Sequence, residues 1–135
     1  MKKNYKFECN KLVRDGTIER SEKLDYKMDY IFLDGNSYLD ALREKLIEEV
    51  NEIYDAKTKD EIRSEIADLL ECIYAFAKKN GLTHEEIQKE RVARKKLRGG
   101  FEKGVYCKTF TAEEGSPMFK YFCENEKKYP RKLIN

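Results

Sequence analysis

Glu48-Glu49-Val50-Asn51-Glu52, followed by Glu65-Ile66-Ala67-Asp68, sets carboxylates at helical spacing inside two segments that otherwise read as core helices. Both segments repeat apolar residues every three or four positions, which predicts amphipathic helices with one buried face each. The predicted buried residues are Leu39, Leu42, Leu46, Val50 and Ile53 in the first helix and Ile62, Ile66, Leu69, Ile73 and Phe76 in the second.

The carboxylates take different positions around these helices. On a wheel with about 100° per residue, Glu49 and Glu65 each fall at the edge of the apolar arc. Glu52 and Asp68 lie further round on the same side, whereas Glu48 points roughly opposite the core. Two neighbouring helices therefore bring acids to the seam between them, where an unpaired charge is costly.

Capping boxes, each a Ser or Thr three residues before an acid, mark where the helices begin. They are Ser37 with Asp40, Thr58 with Glu61 and Thr83 with Glu86, and they predict helices over 37–57, 59–80 and 83–98. Gly81 and Gly99 stand where helix C-terminal caps belong. The short links favour antiparallel neighbours.

The fold class predicted from these elements is mainly α. We expect an antiparallel helix bundle with a short helix at 17–24 and a small accessory two-stranded β element. The strands are predicted at 26–33 and 104–110, from their β-branched and aromatic content. We expect one helical domain over residues 1–110 and a C-terminal extension, residues 111–135, whose role the sequence does not assign.

Charge is nearly balanced overall, at +2, but it is segregated along the chain. Residues 37–71 hold eleven acids and five bases, and residues 89–108 hold eight bases and two acids. These runs indicate either solvated helix faces or an acidic site for metal beside a basic site for phosphate. No window is apolar enough to span a bilayer, and four scattered cysteines without C-x-x-C spacing favour a reduced, cytoplasmic protein.

Carboxylate oxygens without histidine are the ligand set of a hard cation, so the acids at the seam predict Mg²⁺, with Mn²⁺ possible. His84 is the only histidine, and it falls in the first turn of a predicted helix, where an exposed role is expected. The alternative is that the acids form ordinary surface salt bridges with Lys45, Arg43 or Arg63.

The spacing Glu-Glu-x-x-Glu, twelve residues, then Glu-x-x-Asp resembles the signature of the MazG-like, all-α nucleoside triphosphate pyrophosphohydrolases. Three further stretches are similar to the branch of predicted house-cleaning enzymes for non-canonical nucleotides. They are Lys11-Leu12-Val13-Arg14-Asp15, Tyr38-Leu39-Asp40-Ala41-Leu42-Arg43-Glu44-Lys45-Leu46 and Arg98-Gly99-Gly100-Phe101. The resemblance covers about residues 10–108.

The resemblance implies Mg²⁺-dependent cleavage of a nucleoside triphosphate to the monophosphate and pyrophosphate. Its implied metal ligands are Glu49, Glu52, Glu65 and Asp68. Glu48 would act beside the metal or as a base accepting a proton from water.

The implied substrate contacts are basic. Lys11 and Arg14 would approach the triphosphate, and the basic stretch with Arg94, Lys95 and Arg98 would steady the pyrophosphate. Family members are commonly dimers or higher oligomers, so a homo-oligomer is expected, with neither membrane nor nucleic acid as a partner.

Three other interpretations remain. The first is a biosynthetic phosphoribosyl-ATP pyrophosphohydrolase, against which the motif at residues 11–15 argues. The second is a helical module that binds nucleic acid through residues 89–108, which leaves the carboxylates unexplained. The third is a purely structural helical oligomer, which predicts no stabilisation by Mg²⁺ or nucleotide.

Overall fold

The computed structural model describes residues 1–132, and this part of the chain forms five helices. They are α1 (Thr17–Lys23), α2 (Gly35–Asp55), α3 (Lys59–Lys79), α4 (His84–Arg98) and α5 (Pro117–Glu124). The chain divides into two compact units, Met1–Leu97 and Arg98–Asn135. Across residues 1–132, no helix has both the length and the apolar character that a membrane crossing requires.

Helices α2 and α3 form an antiparallel pair, as the short link between them predicts. The Lys79 ammonium at the end of α3 lies 5.8 Å from the ring centre of Tyr38 at the start of α2. One turn further in, the Arg43 guanidinium lies 5.6 Å from the ring centre of Phe76. Between the two helices, Leu42 is buried.

This pair covers less apolar surface than the sequence predicts. Leu42 is the only one of the ten predicted core residues that is fully buried within the described chain. Val50, Ile62 and Ile66, predicted to be core, are exposed instead, so that part of the prediction is wrong for a single chain. The physical reason is that two helices bury only the stripe between them, and a wider apolar arc stays open unless another element covers it.

Side-chain caps fix the start of α3. Thr58 Oγ1 accepts a hydrogen bond from the Glu61 backbone N–H, and the Glu61 carboxylate accepts one from the Thr58 N–H, which confirms this capping box. The Thr83–Glu86 box before α4 is formed in the same way.

The prediction for Ser37 is wrong. Helix α2 begins at Gly35, whose φ is +50°, and Ser37 lies inside its first turn. The Ser37 hydroxyl therefore donates to the Asp34 carbonyl instead of accepting from a helix N–H. Glycine reaches this positive φ at little cost, which allows the helix to begin two residues early.

The two-stranded β element is absent from residues 1–132, so the strands predicted at 26–33 and 104–110 are wrong. Both stretches are irregular, and in the first Tyr30 and Phe32 pack edge to face with each other, at 5.6 Å. β-Propensity reflects packing against a neighbouring strand, and an isolated pair is marginal in water. Without a neighbouring strand, these side chains pack against residues nearby in the sequence, as Tyr30 and Phe32 do.

The C-terminal unit contains a helix that the sequence analysis did not place. Helix α5 starts at Pro117, and the Ser116 hydroxyl caps it by accepting from the Phe119 N–H. Phe122 stacks on Phe110 with ring centres 5.0 Å apart, and Tyr129 packs edge to face on Phe122 at 5.1 Å. The division into a domain of residues 1–110 and an extension of residues 111–135 stays a prediction.

The Thr58 cap predicts a measurable stability difference. Thr58→Ala removes the acceptor for a helix N–H and should lower the free energy of unfolding by about 1 kcal/mol. Ser37→Ala, which removes no helix cap, should change it by less than about 0.5 kcal/mol. Urea unfolding followed by far-UV circular dichroism measures both. Equal losses in the two variants would contradict the assigned caps.

Candidate metal centre

Three carboxylates meet where α2 and α3 pack. Glu49 from α2 and Glu65 and Asp68 from α3 each offer an oxygen within 4.8 Å of the other two. The Glu49 side chain is only 8% exposed, whereas Glu65 and Asp68 are partly exposed. We call these three residues the carboxylate cluster. The antiparallel pairing creates it, because it sets the middle of α2 beside the first half of α3.

Basic residues pair with two carboxylates of the cluster, Glu49 and Asp68, but not with Glu65. Partial desolvation raises the pKa of Glu65, and the charges of Asp68, Glu52 and Glu49 raise it further. Glu65 has no ion-pair partner within residues 1–132. Crowded carboxylates of this kind bind a cation favourably, because the cation removes their mutual repulsion.

Lys45 is the cation held deepest against the cluster. Its ammonium lies 3.0 Å from Glu49 Oε1 and 3.2 Å from Glu48 Oε2, and its side chain is 17% exposed. Burial alone would lower the pKa of Lys45, but the hydrogen bonds to Glu49 and Glu48 outweigh it and raise the pKa. Lys45 was weighed in the sequence only as a surface salt-bridge partner, and its i,i+4 spacing to Glu49 was the available signal.

Glu48 lies outside the cluster and accepts hydrogen bonds on both oxygens. Lys11 Nζ donates to Oε1 at 2.8 Å, and Lys45 Nζ donates to Oε2 at 3.2 Å. Desolvation would raise the pKa of Glu48, but these two lysines lower it below its usual value. The hydrogen bond to Glu48 in turn raises the pKa of Lys11.

Arg14 reaches the cluster from the N-terminal segment. Its Nη2 donates to Asp68 Oδ1 at 2.5 Å, and this bond raises the pKa of Arg14 further above its usual range. Both basic residues predicted near a triphosphate, Lys11 and Arg14, thus contact carboxylates at the site. The pairs join residues 37 and 54 positions apart, so only the fold brings them together.

The other predicted site residues lie elsewhere. Glu52 is exposed and outside the three-residue group, although its charge still reaches Glu65. On α4, Arg94 pairs with Glu90 at 3.8 Å. Arg98 begins the C-terminal unit. Roles for Glu52, Arg94, Lys95 and Arg98 therefore stay predictions.

The donor set of the cluster fits a hard divalent cation. It offers oxygens only, from partly exposed side chains that leave room for water ligands, as Mg²⁺ and Mn²⁺ prefer. His84, the only histidine, is the first residue of α4, where its ring stacks on Tyr74 with centres 3.5 Å apart. It is not a member of the cluster.

Comparison with known proteins points to the same helices. Residues 32–96 match the family model described as phosphoribosyl-ATP pyrophosphohydrolase, and the matched stretch contains α2, α3 and nearly all of α4. The match covers a little under half of the chain, and the whole carboxylate cluster lies inside it. Lys11 and Arg14 lie outside the match. No curated protein and no solved structure matches the chain.

The raised pKa of Glu65 predicts a stabilising substitution in metal-free protein. Above that pKa the ionised carboxylate disfavours the folded state, so Glu65→Gln should raise Tm at neutral pH without divalent cation. Once the pH falls through the raised pKa, which lies above 4.5, Glu65 is protonated and the gain should disappear. Thermal unfolding across a pH series measures this.

Glu44→Gln is the matched control, because Glu44 is an exposed α2 carboxylate outside the cluster and should give no such gain. A lower Tm for Glu65→Gln at neutral pH without metal would contradict the crowding of the three carboxylates.

Proposed function

We propose that this protein is a divalent-cation-dependent pyrophosphohydrolase that cleaves a nucleoside triphosphate to the monophosphate and pyrophosphate. The observation that carries the proposal is the carboxylate cluster, whose oxygens converge within 4.8 Å inside the segment that matches a pyrophosphohydrolase family. A solvated acidic face would not require one of its carboxylates to be 8% exposed between two helices.

The residues have distinct roles in this proposal. Glu49, Glu65 and Asp68 hold Mg²⁺ or Mn²⁺, and Glu52, whose charge reaches Glu65, is proposed as a fourth ligand. The bound cation supplies charge compensation for phosphate oxygens and lowers the pKa of a bound water. Glu48 is the proposed proton acceptor. This role requires Lys11 or Lys45 to release one of its oxygens, because both lysines stabilise the ionised carboxylate and make it a weaker base.

The basic residues are proposed to bind the phosphate groups of the substrate. Lys11 and Arg14 already lie at the edge of the cluster, where their long side chains can turn to a triphosphate. Arg94, Lys95 and Arg98 are proposed to contact the pyrophosphate. This rests on the basic stretch and the resemblance described above, and not on an observed contact.

Two substrate classes compete. The motif at residues 11–15 supports house-cleaning of non-canonical nucleotides, and the structure gives that motif contacts to Glu48 and Asp68. The description of the matching family supports phosphoribosyl-ATP, a biosynthetic substrate. We favour the first, because the residues that distinguish it contact the site.

A pyrophosphate-release screen with Mg²⁺ separates these classes. The panel is canonical and modified ribo- and deoxyribonucleoside triphosphates, with phosphoribosyl-ATP alongside. House-cleaning activity predicts turnover of modified triphosphates and none of phosphoribosyl-ATP. Turnover of phosphoribosyl-ATP alone would establish the biosynthetic role, and silence across the panel would favour a binding module.

Amide substitutions in the cluster test the catalytic assignment. Asp68→Asn and Glu65→Gln should each reduce turnover by more than about 100-fold, because a neutral amide binds a hard cation poorly. Helix content, measured by circular dichroism, should persist. Glu44→Gln should keep wild-type activity. Near-normal Mg²⁺-dependent turnover in either cluster variant would exclude the assigned site.

We further propose that the chain functions as a homo-oligomer that covers an open apolar face of α2 and α3. Ile47, Val50 and Tyr54 form a stripe along α2, with Tyr54 82% exposed. The matching stripe along α3 is Ile62, Ile66 and Leu70. Exposed apolar residues repeated along a helix are typical of an association surface, and a second copy would supply an equally apolar one.

The oligomer is tested on this face. Ile66→Glu sets a charge in the stripe and should shift sedimentation velocity profiles from dimer or larger species to monomer. Ile31→Glu is the control, because Ile31 is 79% exposed and lies outside both helices. A wild-type chain that sediments as a monomer at high concentration would exclude the proposal.

The compartment is proposed on thiol chemistry. All four cysteines, Cys9, Cys72, Cys107 and Cys123, are free. Free, unpaired thiols are the usual state in a reducing compartment, which supports the cytoplasm.

A further inference from the structure

Arg14 and a bound cation would both contact the Asp68 carboxylate. Asp68 is a member of the carboxylate cluster, and its Oδ1 already accepts the guanidinium of Arg14 at 2.5 Å. A divalent cation on Asp68 would face the positive guanidinium at close range, where like charges repel. Asp68 has a second oxygen for the cation, but this repulsion would weaken its pair with Arg14, and the same holds for the pair of Glu49 with Lys45. The exposure of the two ion pairs indicates which one breaks first.

The Arg14–Asp68 pair is the exposed one. Its side chains are 63% and 39% exposed, whereas those of Lys45 and Glu49 are 17% and 8% exposed. Exposed pairs contribute little net energy, because water screens them and the side chains lose freedom. The Arg14 pair should therefore break first, while Lys45 keeps its hold on Glu49.

The backbone at Arg14 is held at the start of α1, three residues before Thr17. The Arg14 carbonyl accepts a hydrogen bond from the Thr17 N–H. Three extended residues span at most about 11 Å. A released Arg14 side chain would thus stay beside the cluster and the phosphates bound there.

We propose that Arg14 is a cation-responsive arm: it pairs with Asp68 when no metal is bound, and metal binding releases it to a phosphate oxygen of the substrate. This rests on the proposed metal centre. Arg14 then opposes metal binding by the free protein and favours anion binding by the metal-loaded protein. A residue that only supports the fold would not give these opposite signs.

Calorimetric titration of Mn²⁺ into the nucleotide-free chain tests whether Arg14 opposes metal binding. Arg14→Gln should tighten Mn²⁺ binding by about two- to five-fold, the size expected for losing an exposed competing ion pair. Arg14→Lys should restore weaker binding. Arg63→Gln is the matched control and should leave the affinity unchanged, because it breaks an exposed Arg–Asp pair with Asp60, outside the cluster.

Calorimetric titration of pyrophosphate at saturating Mg²⁺ tests whether Arg14 favours anion binding by the metal-loaded protein. Arg14→Gln should bind it more weakly than the wild type, and Arg63→Gln should not. If Arg14→Gln binds Mn²⁺ more tightly and pyrophosphate more weakly than the wild type does, the proposed arm is supported. If the wild type binds Mn²⁺ and Arg14→Gln binds it equally or less tightly, the arm is excluded and the metal centre stands. If no variant binds Mn²⁺, both fail.

Discussion

Everything at this site depends on burying the Glu49 carboxylate between two helices. A carboxylate that is 8% exposed must be compensated, and here Lys45 supplies one charge from the same helix. The two carboxylates of α3 lie within 4.8 Å on the other side and add negative charge that Lys45 does not balance. Arg14 pairs with Asp68, and Glu65 is left without an ion-pair partner within residues 1–132, which is the charge that the proposed divalent cation would compensate.

The fold supports this arrangement at a cost in apolar burial. Only Leu42 and Ala77 are buried hydrophobic residues, so the helix pair has a very small core within residues 1–132. A seam occupied partly by charged groups leaves less room for apolar contacts. The open stripe on α2 and α3 and the charged seam are then two consequences of one pairing, and the proposed second copy is what would cover that stripe.

Local patterns predicted the helices well, because capping and periodicity act over a few residues. Thr58 begins its helix as its capping box indicates. Of the four carboxylates that the wheel places on one side, Glu49, Glu65 and Asp68 come together and Glu52 does not join them. The strands failed for the opposite reason, since a strand requires a partner that local composition does not reveal. The start of helix α5 is also marked locally, by Ser116 as the N-cap followed by Pro117 at the first helical position.

The contacts that complete the site were beyond prediction from spacing. Lys11 and Arg14 were assigned to phosphate because they are basic, but their carboxylate partners, Glu48 and Asp68, stand on two different helices far along the chain. Only the antiparallel pairing, together with the course of the N-terminal segment, brings them within hydrogen-bonding distance. The sequence therefore shows which residues are charged, whereas only the fold shows which charged residues pair with each other.

A crystal structure of the intact chain grown with Mn²⁺, read by anomalous scattering, tests the central claim most directly. We expect one anomalous peak among Glu49, Glu65 and Asp68, with their carboxylate oxygens as ligands. The contrary result is Asp68 still paired only with Arg14 and Glu49 only with Lys45, with the ion bound elsewhere or not at all.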